Sequence, residues 1–226
     1  MGPAKTVKGG SLGKGTAVKG KCDIDLVLVL NKVKDAEELK EKLPMIINDV
    51  IGKLKRNRAE LAIIRNSLTD KTFLVKFSVQ GKHVKIDVDL LPTFKVGDLE
   101  SLYQKMKIDT QNREYYSVAL AEKQVDFVEY RPPNVKSLIR LVKYWKKKMV
   151  REFSSGRRIP NSYLLELIII HLWEENTPGD GRPLVMDPAN PMNNVCKGFV
   201  WEEISMAARE VLESPMMNGV SSDSWI

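Results

Sequence analysis

The chain has 226 residues, 43% hydrophobic and 29% charged, the balance of an ordinary soluble globular protein with room for one large domain or two small lobes. Its net charge of +7 favours polyanionic partners such as nucleic acid, nucleotides or acidic membranes, although scattered surface lysines would give the same sum. The two cysteines, Cys22 and Cys196, and two histidines, His83 and His171, show neither zinc-ligand spacing nor a disulfide framework, so a reducing, intracellular, cytoplasmic setting is expected. The start, Met1-Gly2-Pro3-Ala4-Lys5, has no apolar signal core. The longest apolar runs, Leu26 to Leu30 and Leu167 to Ile170, are too short for a bilayer, so no membrane partner is expected.

In chain order, Gly9-Gly10-Ser11-Leu12-Gly13-Lys14-Gly15-Thr16 reads as a flexible loop. Residues 24–30, β-branched and leucine-rich without polar interruption, suit a strand buried on both faces. Residues 35–58 read as helix, acidic early and basic late as the helix dipole prefers, with Pro44 expected to kink it or start a new segment. Residues 72–79 and 82–91 alternate as two strands around a Gln80-Gly81 turn. Val135, Leu138, Ile139, Val142 and Trp145 place a helix over 134–149. Pro160-Asn161-Ser162 opens a helix to about 175, apolar nearly all round and therefore expected to be buried, with His171 packed inside it. Residues 177–194 read as loop and 199–213 as a last amphipathic helix. These elements predict an α+β chain, a mixed-sheet lobe over 1–110 and a helical lobe over 111–226.

The chemistry concentrates at Asp23-Ile24-Asp25, twelve residues beyond Ser11 and at the head of the buried run, and at Asp87-Val88-Asp89. Side chains two apart in a strand share a face. If the two strands are neighbours, three or four carboxylates converge, and their repulsion is relieved by a dication. Oxygen-only donors suit magnesium or manganese, and two such ions can activate a hydroxyl and stabilise a leaving pyrophosphate. A lone Asp-x-Asp is more often a solvated strand end; the pairing with a Gly-Ser loop and a second copy favours the metal reading. The loop fits neither a Walker P-loop nor Gly-x-Gly-x-x-Gly. It offers phosphates its amides, the Ser11 hydroxyl and the Lys14 ammonium, and its plain alternative is a surface turn. Arg140 and Lys143, three apart in the basic helix, form a clamp for triphosphate or simply a solvated face.

Gly9 to Thr16, Lys21-Cys22-Asp23-Ile24-Asp25-Leu26-Val27, Asp89-Leu90-Leu91-Pro92, residues 136–145 (Lys-Ser-Leu-Ile-Arg-Leu-Val-Lys-Tyr-Trp), Tyr163-Leu164-Leu165-Glu166-Leu167, the stretch from Arg182 to Pro191, and Ser224-Trp225-Ile226 together resemble the 2'-5'-oligoadenylate synthetases, in order along nearly the whole chain. The resemblance implies a polymerase-β-like nucleotidyltransferase core followed by a helical lobe. It implies a reaction in which the 2'-hydroxyl of one adenosine attacks the α-phosphate of ATP and pyrophosphate leaves. Asp23, Asp25 and Asp89 would then be catalytic and would hold two Mg2+ ions, or Mn2+, with Asp89 nearest the attacking hydroxyl and Asp87 a neighbour. Gly10, Ser11, Arg140, Lys143, Ser162 and Tyr163 would bind the ATP donor; Ser162 falls where the family carries glutamine. It also implies an antiviral, innate-immune role.

Three departures shape the remaining expectations. The family's amino-terminal segment, part of its surface for double-stranded RNA, has no counterpart before the glycine loop. Its basic RNA-contacting positions correspond to Val125 and Glu129, so activation by double-stranded RNA is expected to be weak or missing. The crossing from Trp173 to Pro183 is short where the family has further helices, as in a fragment or small relative. Pro215-Met216-Met217 replaces an oligomerisation motif, so a monomer is expected. A cyclic-dinucleotide synthase-like enzyme and a catalytically inactive nucleotide- or RNA-binding relative are the rival functions.

Overall fold

The structure is a computed structural model that describes residues 2–18, 23–71, 73–149, 159–175, 188, 189, 195 and 198–214. The chain divides into two compact units, Met1–Lys136 with Met186–Asn193, and Ser137–Val185 with Asn194–Ile226.

The first unit is built on a mixed five-stranded sheet, order β1-β2-β5-β4-β3, from β1 (Pro3–Lys8), β2 (Asp23–Leu30), β3 (Thr69–Lys71), β4 (Leu74–Gln80) and β5 (Lys85–Phe94). β2 and β5 are parallel, while β1, β3 and β4 add antiparallel to their neighbours. The two apolar strands occupy the interior, where a continuous hydrophobic run belongs. The face formed by Val75 and Phe77 of β4 and by Val88 and Leu90 of β5 is buried beneath the long helix α2 (Ala36–Arg56). Leu39, Leu43, Ile46, Ile47 and Leu54 recur at helical spacing and are the buried stripe of α2. Each such side chain contributes about 1.5–3 kcal/mol on leaving water. The opposite face of the same strands carries the carboxylates.

Of the two expectations at Pro44, a kink or a new segment, the new segment is not found: α2 runs through as one helix with Pro44 on its exposed side. A proline inside a helix costs about 3 kcal/mol. The apolar stripe on both sides of it offsets that cost, which local propensity alone does not reveal.

A one-turn helix α1 (Gly10–Gly13) follows β1. After the sheet come α3 (Leu99–Ile108), α4 (Arg113–Ala119) and α5 (Ala121–Glu129), which periodicity did not resolve into separate elements. Tyr115 and Tyr116 of α4 join the core, edge-on to Phe73 and Phe94.

In the second unit, the helix α6 (Pro133–Met149) continues from Ser137, with α7 (Ser162–Glu175) and α8 (Trp201–Leu212). Asn161 caps α7 by accepting from the Leu164 amide at 2.8 Å. Leu164, Leu165, Leu167, Ile169 and Ile170 are buried, as an all-round apolar helix requires. His171 is exposed and is not the packed histidine expected, because the apolar run ends just before it. The loop predicted over 177–194 and the Pro215-Met216-Met217 stretch lie essentially outside the described residues.

Candidate active site

Three strands place the charged residues in two rows on one sheet face. Asp23 pairs with Asp87 and Asp25 with Asp89 across β2 and β5, while Lys76 pairs with Asp89 and Ser78 with Asp87 across β4 and β5. Residues opposite one another share a face, as do residues two apart in one strand. One row is Asp25, Asp89, Lys76; the next is Asp23, Asp87, Ser78. The two Asp-x-Asp pairs therefore lie on neighbouring strands, the condition on which convergence depended. Lys76 Nζ donates to Asp89 Oδ2 at 2.5 Å, and Ser78 Oγ donates to Asp87 Oδ1 at 2.6 Å. Lys85 Nζ lies 3.4 Å from that Asp87 oxygen. The rows line a pocket of 590 Å3 together with Ser67, Thr69 and Phe77, within the range of small-molecule sites.

The glycine loop folds against the Asp25 end of this array. The Gly9 amide donates to the Asp25 carbonyl at 2.7 Å. Gly10 has φ +55, and a Cβ there would lie 1.8 Å from Asp25 Oδ2. A Cβ on Gly13 would lie 2.0 Å from the Lys8 carbonyl oxygen. Glycines let the turn lie this close to the end of β1 and to the Asp25 carboxylate of β2. The turn also consumes amides: those of Gly13, Lys14, Gly15 and Thr16 donate back to Gly9, Gly10, Leu12 and Ser11. The amides of Gly10, Ser11 and Leu12 are those that a first helical turn leaves over. Ser11 is half-buried on this turn, and Lys14 is buried, with only 6% exposure.

Divalent-metal chemistry is implied here by the donor set, so the fit is testable. Asp23, Asp25 and Asp89 are oxygen donors on one face of adjacent strands, which lie about 4.8 Å apart, and all three line one pocket. Among the described residues, however, no three His, Cys, Asp or Glu side chains are already gathered as a metal cage. The donors fit in kind and register, with Asp89 engaged by an ammonium.

The remaining predicted residues belong to the second unit. Arg140 Nη2 donates to Ser137 Oγ at 2.9 Å. Lys143 Nζ lies 2.9 Å from Glu166 Oε1 of α7, with side-chain exposures of 8% and 2%. Lys143 is thus half of a buried ion pair, a partner that spacing within α6 did not disclose. Burial and the Lys143 charge hold the Lys146 ammonium below its ordinary pKa. Ser162 is exposed and Tyr163 half-buried on the first turn of α7.

Lys76, Ser78, Ser67 and Thr69 were not singled out from sequence. Lys76 and Ser78 alternate with Val75 and Phe77, and the pairing of Gln80 with Lys85 fixes which aspartate each one faces. The signal was present in the hairpin register, not in a motif.

Two solved structures share the fold. CdnC of E. coli MS115-1, solved with ATP, superposes with a TM-score of 0.55 at 19% identity over 93% of this chain and 75% of that one. The same protein in complex with HORMA-deltaN gives 0.54 at 18% identity over 93% and 74%. The mixed sheet and following helices define an α+β nucleotidyltransferase fold of the polymerase-β type.

The model of the family described as "2'-5'-oligoadenylate synthetase 1, domain 2, C-terminus" matches residues 98–180 and 179–225. The chain belongs to the 2'-5'-oligoadenylate synthetase family, a family of nucleotidyltransferases. It is 27% identical to 2'-5'-oligoadenylate synthase 1A of Rattus norvegicus over 98% of this chain and 81% of that protein, and 25% identical to synthase 2 of the same species over 93% and 38%. It is 30% identical to synthase 3 of Mus musculus over 86% of this chain and 17% of that protein. The chain thus spans about two fifths of the length of the synthase 2 relative. The alignment with synthase 1A runs over 291 positions against a 226-residue chain, so that relative carries inserted residues. The family match also breaks at 179–180, within the crossing read as shortened. No helix among the described residues is long and apolar enough to cross a membrane.

Proposed function

We propose that this chain is a metal-dependent nucleotidyltransferase that polymerises ATP into 2'-5'-linked oligoadenylates with release of pyrophosphate. The observation that carries the reading is the register of Asp25 against Asp89 beside the Gly10 turn: one pocket lined by carboxylates of both neighbouring strands, with a glycine turn packed close against Asp25. Asp23, Asp25 and Asp89 would hold two Mg2+ ions, or Mn2+. The chemistry such ions supply when bound is activation of a hydroxyl and charge neutralisation at the pyrophosphate.

Within that frame each residue has a definite task. Ser11 and the leftover amides of its turn bind donor phosphate. Arg140, Ser162 and Tyr163, which belong to the second unit, carry in this reading the ATP-binding role that the resemblance implies. Lys143 serves by way of the Glu166 pair, its ammonium fixed in place before any nucleotide arrives. The acceptor 2'-hydroxyl forms the new bond to the α-phosphorus, the bond to the bridging β-phosphate oxygen breaks, and the hydroxyl proton passes to the Asp89 carboxylate.

Activity independent of double-stranded RNA is part of the proposal. Val125 is buried in α5 and Glu129 presents a carboxylate at the surface, so neither position supplies a cation for a phosphate backbone.

The test is purified protein with ATP and Mg2+, with and without double-stranded RNA, products being resolved by chromatography and by resistance to a 3'-5'-specific nuclease. Resistant linear oligomers in both conditions are expected. A steep rise with RNA would defeat the independence, and a cyclic dinucleotide in the same chromatogram would transfer the reading to a cyclic-dinucleotide synthase. The engagement of Asp89 by Lys76 favours a second reading, a protein that binds nucleotide without turnover. Asp25→Asn separates the two: it abolishes product in an enzyme and leaves nucleotide binding unchanged in a binder.

A further inference from the structure

Asp89 has a lysine in direct cross-strand register, and nothing in the nucleotidyl-transfer reading above gives Lys76 a task. Its Nζ lies 2.5 Å from Asp89 Oδ2, on the oxygen-lined side of the pocket shared with Asp23 and Asp25. The pair is not locked in: side-chain exposures are 45% for Lys76 and 25% for Asp89. A lysine on a four-carbon stem at that exposure can swing into solvent without leaving a buried charge behind. Aspartates on adjacent strands repel, and one ammonium offsets one of their charges. Among the described residues Asp89 is not gathered with Asp23 and Asp25 into a cage. Asp87, by contrast, is held by Ser78 and by a different lysine, Lys85.

We propose that Lys76 is a positioning residue: its ammonium holds Asp89 in the metal-free protein and yields that oxygen to the divalent cation on loading, so that Lys76 sets the metal concentration at which the site assembles. This rests on Asp23, Asp25 and Asp89 being the metal ligands. The exchange is cation for cation at one carboxylate oxygen, and removal of the lysine removes the competitor.

The experiment is Mn2+ binding to the nucleotide-free protein, with free ion counted by electron paramagnetic resonance. Lys76→Met is expected to bind Mn2+ about three- to fivefold more tightly, the upper end of what a half-exposed ion pair is worth. Lys76→Arg, which keeps a cation opposite Asp89, should stay near the natural protein. Lys85→Met, which loses the same charge beside Asp87, should also stay near it. In chelator, Lys76→Met should melt lower than the natural protein and gain more on addition of Mn2+, a linkage that also reports whether the variant folds. Unchanged or weaker binding by Lys76→Met overturns the proposal, as does an equal gain by Lys85→Met, which would reduce the effect to net charge. If the natural protein binds no Mn2+, or Asp25→Asn binds it equally well, the metal-ligand reading itself fails and the role of Lys76 falls with it.

Discussion

Gly10 shows how a single residue type can be required by a carboxylate on another strand. At φ +55 an L side chain costs about 1–2 kcal/mol, and here its Cβ would also fall 1.8 Å from Asp25 Oδ2. The Asp25 carboxylate is the far end of a flexible side chain, so it would yield, and the strain on the fold would be modest. The position of that carboxylate would be lost instead. Gly10→Ala is therefore expected to reduce turnover of ATP about 10²-fold, the scale of an ångström's misplacement at a reacting centre, and to weaken Mn2+ binding. Gly52→Ala is the contrasting case: it lies inside α2, where a Cβ would meet only Arg56 Nη1 at 3.6 Å. It should stabilise the protein by about 0.5–1 kcal/mol and leave turnover alone, as thermal melts and the same assay would reveal. Full activity in Gly10→Ala would show that Asp25 need not stand where this turn holds it.

At the scale of elements, the strongest local signals are those in which chemistry and position coincide. Asp35 accepts from the Glu38 amide at 3.0 Å and Glu38 reaches back to the Lys34 amide at 2.6 Å, a reciprocal cap that opens α2 at the acidic residues where the sequence placed its start. Asp35→Ala should cost about 1 kcal/mol in denaturant melts, because the orphaned amide must find water. β2, β4 and β5 were also legible, since burial on one or both faces leaves a period of two or a continuous apolar run. β1 was not: of its six residues only Val7 is buried, so an edge strand with two lysines carries no core pattern. β3 is three exposed polar residues and carries none either. For the candidate site, the Asp-x-Asp pairs were legible as motifs and their shared face followed from alternation. What occupies Asp89 was not, because Lys76 meets it only through the register of β4 on β5, and register is a property of two segments at once.

At the scale of the whole chain, the division into two units gives a way to perturb one and watch the other. All four tryptophans, Trp145, Trp173, Trp201 and Trp225, belong to the second unit, so their fluorescence is a probe carried by that unit, while the three aspartates belong to the first. Lys143 and Glu166 join α6 to α7 inside that second unit, both nearly excluded from solvent. Two desolvated charges at 2.9 Å roughly offset their own cost of burial, so the intact pair adds little net stability. Removing one partner is different, because the ammonium of Lys143 then stays in the interior with its carboxylate gone. Glu166→Gln keeps the shape and one acceptor oxygen but not the charge, and the expected loss is about 3 kcal/mol, the lower end for breaking such a pair. For a unit of this size that is a fall of about 12–24 °C in the midpoint followed by tryptophan fluorescence. Mn2+ binding below that midpoint should be unchanged, since the ligands lie in the other unit. The double variant Lys143→Met with Glu166→Leu should recover most of the lost stability, because hydrophobic side chains of similar volume replace a buried pair at little cost. Recovery of stability without recovery of ATP turnover would separate the structural task of Lys143 from its place at the nucleotide; recovery of both would remove Lys143 from the donor site.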